Sequence, residues 1–221
     1  MSRGLKTALA GMAVAALLIA GCTLKSSEPA EGAAGLPEGR AILTERFDGP
    51  LGARFNDTSD GAYAVVDGKL RAQGAHNHPL WLNEKLPADA RIDFTARSAS
   101  PAVDIKVEVF GDGKSFAKRA SYTATSYVLI LGGWNNSRSI IARMDEHGRD
   151  RKVREAPRRE VDRTYACTVV RVGGALTWYV DGERFLSFED REPLRGEGHE
   201  HFAFNNWESE VYFDDLVIRE L

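Results

Sequence analysis

The sequence predicts an all-β domain, a sandwich of two curved antiparallel sheets. Three observations predict it. Apolar and polar residues alternate over seven separate runs, as they do where one strand face meets a core and the other does not. Asp67-Gly68, Gly173-Gly174 and Asp181-Gly182 fall between such runs, where two-residue hairpin turns need positive φ. Helical periodicity is nearly absent, so nothing is available to cover a parallel sheet, and sheets packed face to face remain.

The seven runs are RIDFTAR (91–97), VDIKVEVF (103–110), SYVLILGG (126–133), SRSIIARM (137–144), YACTVVRV (165–172), ALTWYVDG (175–182) and VYFDDLVIRE (211–220). In the second, Val103, Ile105, Val107 and Val109 form one face, and Asp104, Lys106, Glu108 and Phe110 the other. The first face suits a core and the second suits solvent or a groove.

Residues 1–21 begin basic, at Arg3 and Lys6, pass through an apolar run from Ala8 to Ala20 and lead into LLIAGC. This is the pattern of a secretory signal peptide ending in a lipobox, and its apolar run is short of the roughly 20 residues that cross a bilayer. The pattern resembles bacterial lipoproteins. That resemblance implies cleavage before Cys22, acylation of this cysteine with palmitate-type chains and, with Thr23 following it, sorting to the outer membrane of a double-membraned bacterium. Several acyl chains anchor a protein stably to a membrane. Residues 22–40 are small, polar and broken by proline and glycine, a lipidated flexible tether. Residues 41–221 then suffice for one well-buried core.

The whole chain carries a formal net charge of −3, and loss of Arg3 and Lys6 with the signal leaves 27 basic against 32 acidic residues, or −5. That sign argues against nucleic acid as a partner. Besides the anchor only Cys167 remains, so the mature monomer can form no internal disulfide, and Cys167 reads as a small buried hydrophobe. No obligate protein partner is predicted. RDRKVREAPRRE (149–160) reads as a solvated hairpin loop, with docking to anionic glycan or lipid headgroups as the alternative.

ILTERFDG, YVDGERF and VYFDDLVI resemble the first, late and last strands of concanavalin A-like lectin/glucanase domains, and the order of the resemblance runs through 42–221. The chain is similar to bacterial 3-keto-disaccharide hydrolase-type domains in its WYVDG hairpin before the closing strand. The resemblance implies a jelly roll with a glycan-accepting groove on a concave sheet. It does not extend to the family 16 glycoside hydrolase mechanism. The Glu-x-Asp-x-x-Glu strand motif of those enzymes is absent, and EVDRTY at 160–165 has tyrosine in the last place. Asp104 and Glu108 lie about 13 Å apart along an extended strand, too far for a retaining pair.

Sugars are held by flat apolar surfaces against their C–H faces and by amides against their hydroxyls. Two mirrored triplets offer both: Trp134, Asn135 and Asn136, and Asn205, Asn206 and Trp207. With Arg143 and Glu108 these are the candidate substrate-binding residues. Trp81 and Trp178 complete the tryptophans. Four of five histidines form i, i+2 pairs, His76 with His78 and His199 with His201. Each pair would point to one side of a strand, as metal ligands or proton-transfer groups. His147 reads as a turn residue. The expected function is a membrane-anchored, extracytoplasmic carbohydrate-binding domain. A glycan-cleaving enzyme of keto-sugar or lyase type stays open beside it, with His78 or His201 as base, Tyr122 or Tyr127 as acid, and Arg143, Asn136 or Asn206 as stabilisers. A structural or protein-binding lipoprotein is the third reading. No cofactor is required. Glu45, Asp48, Asp214 and Asp215 bracket the terminal strands as a candidate structural Ca²⁺ site.

Overall fold

The computed structural model describes Met1 and residues 35–118, 122–155 and 157–221. The expected signal peptide apart from Met1, the expected lipidation site Cys22 and most of the expected tether lie outside the described residues. Among the described residues fifteen strands run in chain order: β1 (Arg40–Glu45), β2 (Phe55–Asp57), β3 (Tyr63–Val66), β4 (Lys69–Gln73), β5 (Leu80–Leu82), β6 (Ala90–Ser98), β7 (Ile105–Gly111), β8 (Tyr127–Gly132), β9 (Arg138–Arg143), β10 (Arg151–Glu155), β11 (Thr164–Val172), β12 (Ala175–Val180), β13 (Glu183–Glu189), β14 (His201–Asn205) and β15 (Glu210–Glu220). They form two antiparallel sheets. One has the order β13-β12-β11-β6-β15-β4-β3, with β1 also paired to β15, and the other has the order β10-β9-β8-β7-β14-β5-β2.

Alternation decides the packing. On β6, Ala90, Ile92, Phe94 and Ala96 are buried in the core while the residues between them are half-exposed. From the other sheet, Ile105, Val107 and Val109 of β7 and Phe202 and Phe204 of β14 meet them. Phe94 packs against Phe202, Phe204 and Phe213 at centroid distances of 6.2, 6.3 and 6.4 Å. Each fully buried ring stabilises the sandwich by about 1.5–3 kcal/mol.

The eleven-residue β15 holds its sheet together. It runs beside β6 and on its other side pairs first with β4, from Glu210 to Phe213, and then with β1, from Leu216 to Glu220. A bulge between Asp214 and Val217, with Asp215 at φ 51, separates the two stretches. The Asp-Gly turns are as expected: Asp67 and Gly68 have φ 50 and 70, and Asp181 and Gly182 have φ 53 and 80, as type I′ turns require.

One face assignment is corrected. Phe110 does not share the face of Lys106 and Glu108. A bulge shifts the register between His201 and Phe202, and Phe110 lies within it at φ 61. The extra residue swings the ring into the core, where the Arg171 guanidinium lies 3.2 Å from its centroid. Val103 and Asp104 also precede the strand rather than belonging to it, both at positive φ. Cys167 is buried at 1% exposure, and burial pushes its thiol up to about 12. It is an inert core residue.

Gly111 at the end of β7 backs onto the fully buried Trp81 indole, and a methyl group there would overlap the ring. Gly111→Ala is expected to destabilise the fold by about 1–3 kcal/mol, read as a lower urea midpoint with an unchanged slope.

Candidate functional site

The face of the seven-stranded sheet that points away from the core carries Lys106 and Glu108 of β7, Val128 and Ile130 of β8, and Ile140 and Ala142 of β9. Much of this face is covered. Ala117, Tyr122 and Ala124 pack on Val128, Ile130, Ile140 and Ala142 as a second apolar cluster. What stays open is a cleft of about 550 Å³ beside the end of β8, within the range of small-ligand sites.

Trp134 stands on one side of the cleft and Trp207 on the other. The chain after β8 makes a left-handed turn, with Trp134 at φ 49, ψ 58 and Asn135 at φ 55, ψ 47. Such a conformation costs about 1–2 kcal/mol per residue, so something must hold it. Asn136, the next residue at φ 59, does so: its Oδ1 accepts from the Arg159 N–H at 2.8 Å and its Nδ2 donates to the Arg159 carbonyl at 2.8 Å. The Ser139 hydroxyl accepts from the Gly132 N–H at 3.0 Å. The Trp134 ring is fixed by His147, edge-on at 5.6 Å, and by the guanidinium groups of Arg138 and Arg151 at 5.6 and 5.7 Å.

Trp207 is 38% exposed, with the His76 ring edge-on at 4.8 Å. Its N–H donates to Asp104 Oδ2 at 2.8 Å and its carbonyl accepts from the His76 N–H at 3.0 Å. Beneath it the Asn77 N–H donates to the Asn206 carbonyl at 3.1 Å. Asn206 is sealed in: its Oδ1 accepts from the Ala75 N–H at 2.9 Å, and its Nδ2 donates to the carbonyls of Ala72 and Ser209. Segments 75–77 and 205–207 are thereby zipped together, and this fixes one wall of the cleft.

The floor is polar. Lys106 Nζ donates to Asn77 Oδ1 at 2.7 Å and pairs with Glu146 Oε2 at 2.8 Å. Burial alone would push this ammonium down, but Glu146, Asp104 and Glu108 outweigh it and hold it above its ordinary value. Burial pushes the Asp104 carboxyl up, with Lys106 and the Trp207 N–H acting against it. Glu208 and His147 stand at the rim.

Several sequence candidates are placed elsewhere. Glu108 does not reach the cleft. It is fully buried, accepting from Ser126 Oγ at 2.5 Å, Asn205 Nδ2 at 2.7 Å and Tyr122 OH at 3.2 Å. Asn205 and Asn206 are internal hydrogen-bonding residues, and Asn136 is a backbone staple. Arg143 lies at the far end of β9 from Trp134, bound to Asp190 at 3.0 Å together with Tyr127 OH. His78 points its Nδ1 at the Ala75 carbonyl, 3.0 Å away, and stacks on Phe116 at 5.1 Å. His201 Nδ1 lies 2.9 Å from the Leu82 carbonyl and His199 Nδ1 2.7 Å from the Thr125 carbonyl. None of these three histidines lines the cleft, so the paired-histidine arrangement is not assembled there.

Of the Ca²⁺ candidates, Glu45 caps the Phe47 N–H and pairs with Arg54, and Asp214 pairs with Lys69. Asp48 and Asp215 are exposed. Among the described residues no group of three or more His, Cys, Asp or Glu is arranged to hold a metal ion.

Of the cleft residues, Asp104 and Lys106 were placed from the sequence only on a face suited to solvent or a groove, and Asn77 and Glu146 were not singled out. The alternation of VDIKVEVF was the available signal for Asp104 and Lys106. Glu146 arrives on a hairpin that folds back over the sheet, and local sequence carries no sign of that.

No model of a known protein family matches the chain. The chain is 24% identical over 160 residues to an extracellular exo-alpha-L-arabinofuranosidase of Streptomyces chartreusis, a match over 71% of this chain and 18% of that protein. It therefore spans less than a fifth of that relative's length. Among solved structures it is similar to an endo-acting O-glycanase of the human gut microbiota, at TM-score 0.57 and 12% identity over 82% of this chain and 99% of the other. It is also similar to domain 4 of an extracellular arabinanase from Geobacillus stearothermophilus, solved with arabinotriose, at TM-score 0.56 and 14% identity over 83% and 94%. The laminarinase catalytic domain of Thermotoga maritima gives TM-score 0.56 and 11% identity over 84% and 100%. These likenesses show the fold: the chain is a jelly-roll β-sandwich of the kind found in glycanase domains.

Burial pushes Glu108 up to about 7, against the hydrogen bonds from Ser126 and Asn205, the charge of Lys106 and the bond from Tyr122. Between the ordinary 4.5 and about 7 the native protein keeps a proton that the unfolded chain has released. Stability from this group therefore falls as pH rises through that window, by ~3 kcal/mol in all. Glu108→Gln has no such proton to lose. Urea midpoints from pH 4.5 to 8 should show the variant gaining on the wild type up to about pH 7 and then running parallel. A constant difference between the two would refute the assignment.

Proposed function

We propose that this chain is a membrane-anchored, extracytoplasmic domain that binds an uncharged glycan in the cleft between Trp134 and Trp207. The observation that carries this reading is the convergence of two tryptophans, distant in sequence, on one cleft with a polar floor. Indole faces cover the C–H surfaces of a sugar, while Lys106, Asn77 and the carboxylates bond its hydroxyls. Lys106 donates one N–H group to Asn77 and stands in an ion pair with Glu146, which leaves N–H capacity for a ligand.

Charge favours a neutral ligand. In the lining Asp104, Glu146 and Glu208 stand against the single ammonium of Lys106, so a uronate seated on the floor would meet more carboxylates than ammonium groups. The likeness to an arabinofuranosidase and to an arabinanase domain solved with arabinotriose makes arabinose-containing glycans the first ligands to try. The anchor is Cys22, through the lipobox LLIAGC, with 23–40 as tether.

Two experiments test this. In titration calorimetry, Trp134→Ala and Trp207→Ala should each weaken binding of arabino-oligosaccharides at least about tenfold, or about 1.4 kcal/mol, and polygalacturonate should not bind the wild type. Unchanged affinity in both variants would remove the cleft from the account. For the anchor, Cys22→Ser expressed in a double-membraned bacterium should leave the membrane fraction and lose incorporation of a labelled fatty acid. Continued labelling of the serine variant would show that Cys22 is not the acylated residue.

A further inference from the structure

The cleft is blind along the sheet. The outer face of a seven-stranded sheet spans about 30 Å at ~4.8 Å per strand, enough to carry a glycan chain across it, but here the crossing is blocked on both flanks and below.

On one flank the hairpin 144–150 folds back over the face. The Met144 N–H donates to the Ser126 carbonyl and the Ala124 N–H to the Met144 carbonyl, both at 2.9 Å, and this brings Glu146 onto Lys106. On the other flank stand Asn77, Trp207 and Ser209, held by Asn206. Below, residues 112–118 and 122–126 lie across the sheet, fastened at several points. Trp81 Nε1 donates to the Ser115 carbonyl at 2.9 Å, Asn56 Nδ2 to the Gly113 carbonyl at 2.9 Å, and the Ala117 N–H to the Asn77 carbonyl at 2.8 Å. The His201 ring packs under Gly113.

We propose that the cleft recognises the terminal residue of a neutral glycan rather than an internal stretch, an inference that rests on the glycan-binding reading above. An internal residue is linked on two sides and needs two exits. A terminal residue needs one, toward solvent, and brings unsubstituted hydroxyls to the floor. The floor has a group to receive them. Asp104 is half-buried in the lining, and its Oδ2 takes the Trp207 backbone N–H while its Oδ1 takes no hydrogen bond among the described residues. A hydroxyl of a chain end can donate to it, and the same oxygen tied up in a glycosidic link cannot. Sites that bond a particular hydroxyl discriminate strongly against ligands lacking it.

The test is calorimetry on the full domain with ladders of linear arabino- and β-gluco-oligosaccharides, and with the matching polymers before and after partial acid hydrolysis at equal mass. Terminal recognition predicts a Kd that stops improving after the first few residues, and a number of binding sites per gram of polymer that rises in proportion to the chain ends created. A Kd that tightens several-fold with every added residue, with sites per gram unchanged by hydrolysis, would overturn it while leaving glycan binding intact. Absence of binding to every member of both ladders would overturn the glycan-binding reading as well.

Discussion

The side chain of Asn206 joins the two sheets where the cleft is built. The residue follows β14 of one sheet, yet its amide nitrogen donates to Ala72 in β4 of the other and to Ser209 just before β15. Its oxygen takes the N–H of Ala75. One buried amide thus bonds three backbone groups at once, and a buried polar group left without a partner costs about 1–3 kcal/mol. Because those groups lie in the segments that carry Asn77 and Trp207, the bonding that closes the sandwich also sets the wall of the cleft.

The opposite wall follows a similar logic with a different device. Three consecutive residues without the freedom of glycine adopt left-handed backbone after β8, and Asn136 ties that turn to the backbone of Arg159. In both triplets one asparagine secures the chain and the tryptophan it positions is left at the cleft. Strained backbone of this kind persists only where its surroundings over-determine it, and here they do so through buried amides rather than through the groups exposed to a ligand. Lys106 and Glu146 extend the pattern to charge. Each is buried and each answers the other, so the floor keeps its polarity without an isolated ion in the interior.

The strands were legible because alternation survives in single segments: each of the seven runs named from the sequence contains a strand, and both of the Asp-Gly pairs named there form turns. Phe110 was misplaced because one bulged residue reverses the sense of alternation, and that depends on the pairing partner β14 rather than on VDIKVEVF itself. The two tryptophans were legible as cleft candidates from composition. The asparagines beside them were not separable into buried and exposed, since an amide suits a turn, a staple and a ligand equally. The histidine pairs misled for a related reason. Spacing fixes a shared side of a strand but not what faces it, and here the backbone carbonyls of Ala75, Thr125 and Leu82 lie against three of the rings. Glu146 shows the limit, because its place depends on a hairpin folding over a sheet whose other strands are far away in sequence.

The rims of the sandwich bear on how such domains behave when crowded. β10 closes one end of its sheet with Arg151, Lys152 and Arg154 along a five-residue edge, and β2 closes the other end with only three residues. In the other sheet β3 has four residues, and the pairing of β12 with β13 is interrupted by an irregularity at Trp178. A neighbour approaching in register would find each ladder short, kinked or guarded by guanidinium groups. Many copies can therefore stand side by side without zipping into a continuous ribbon.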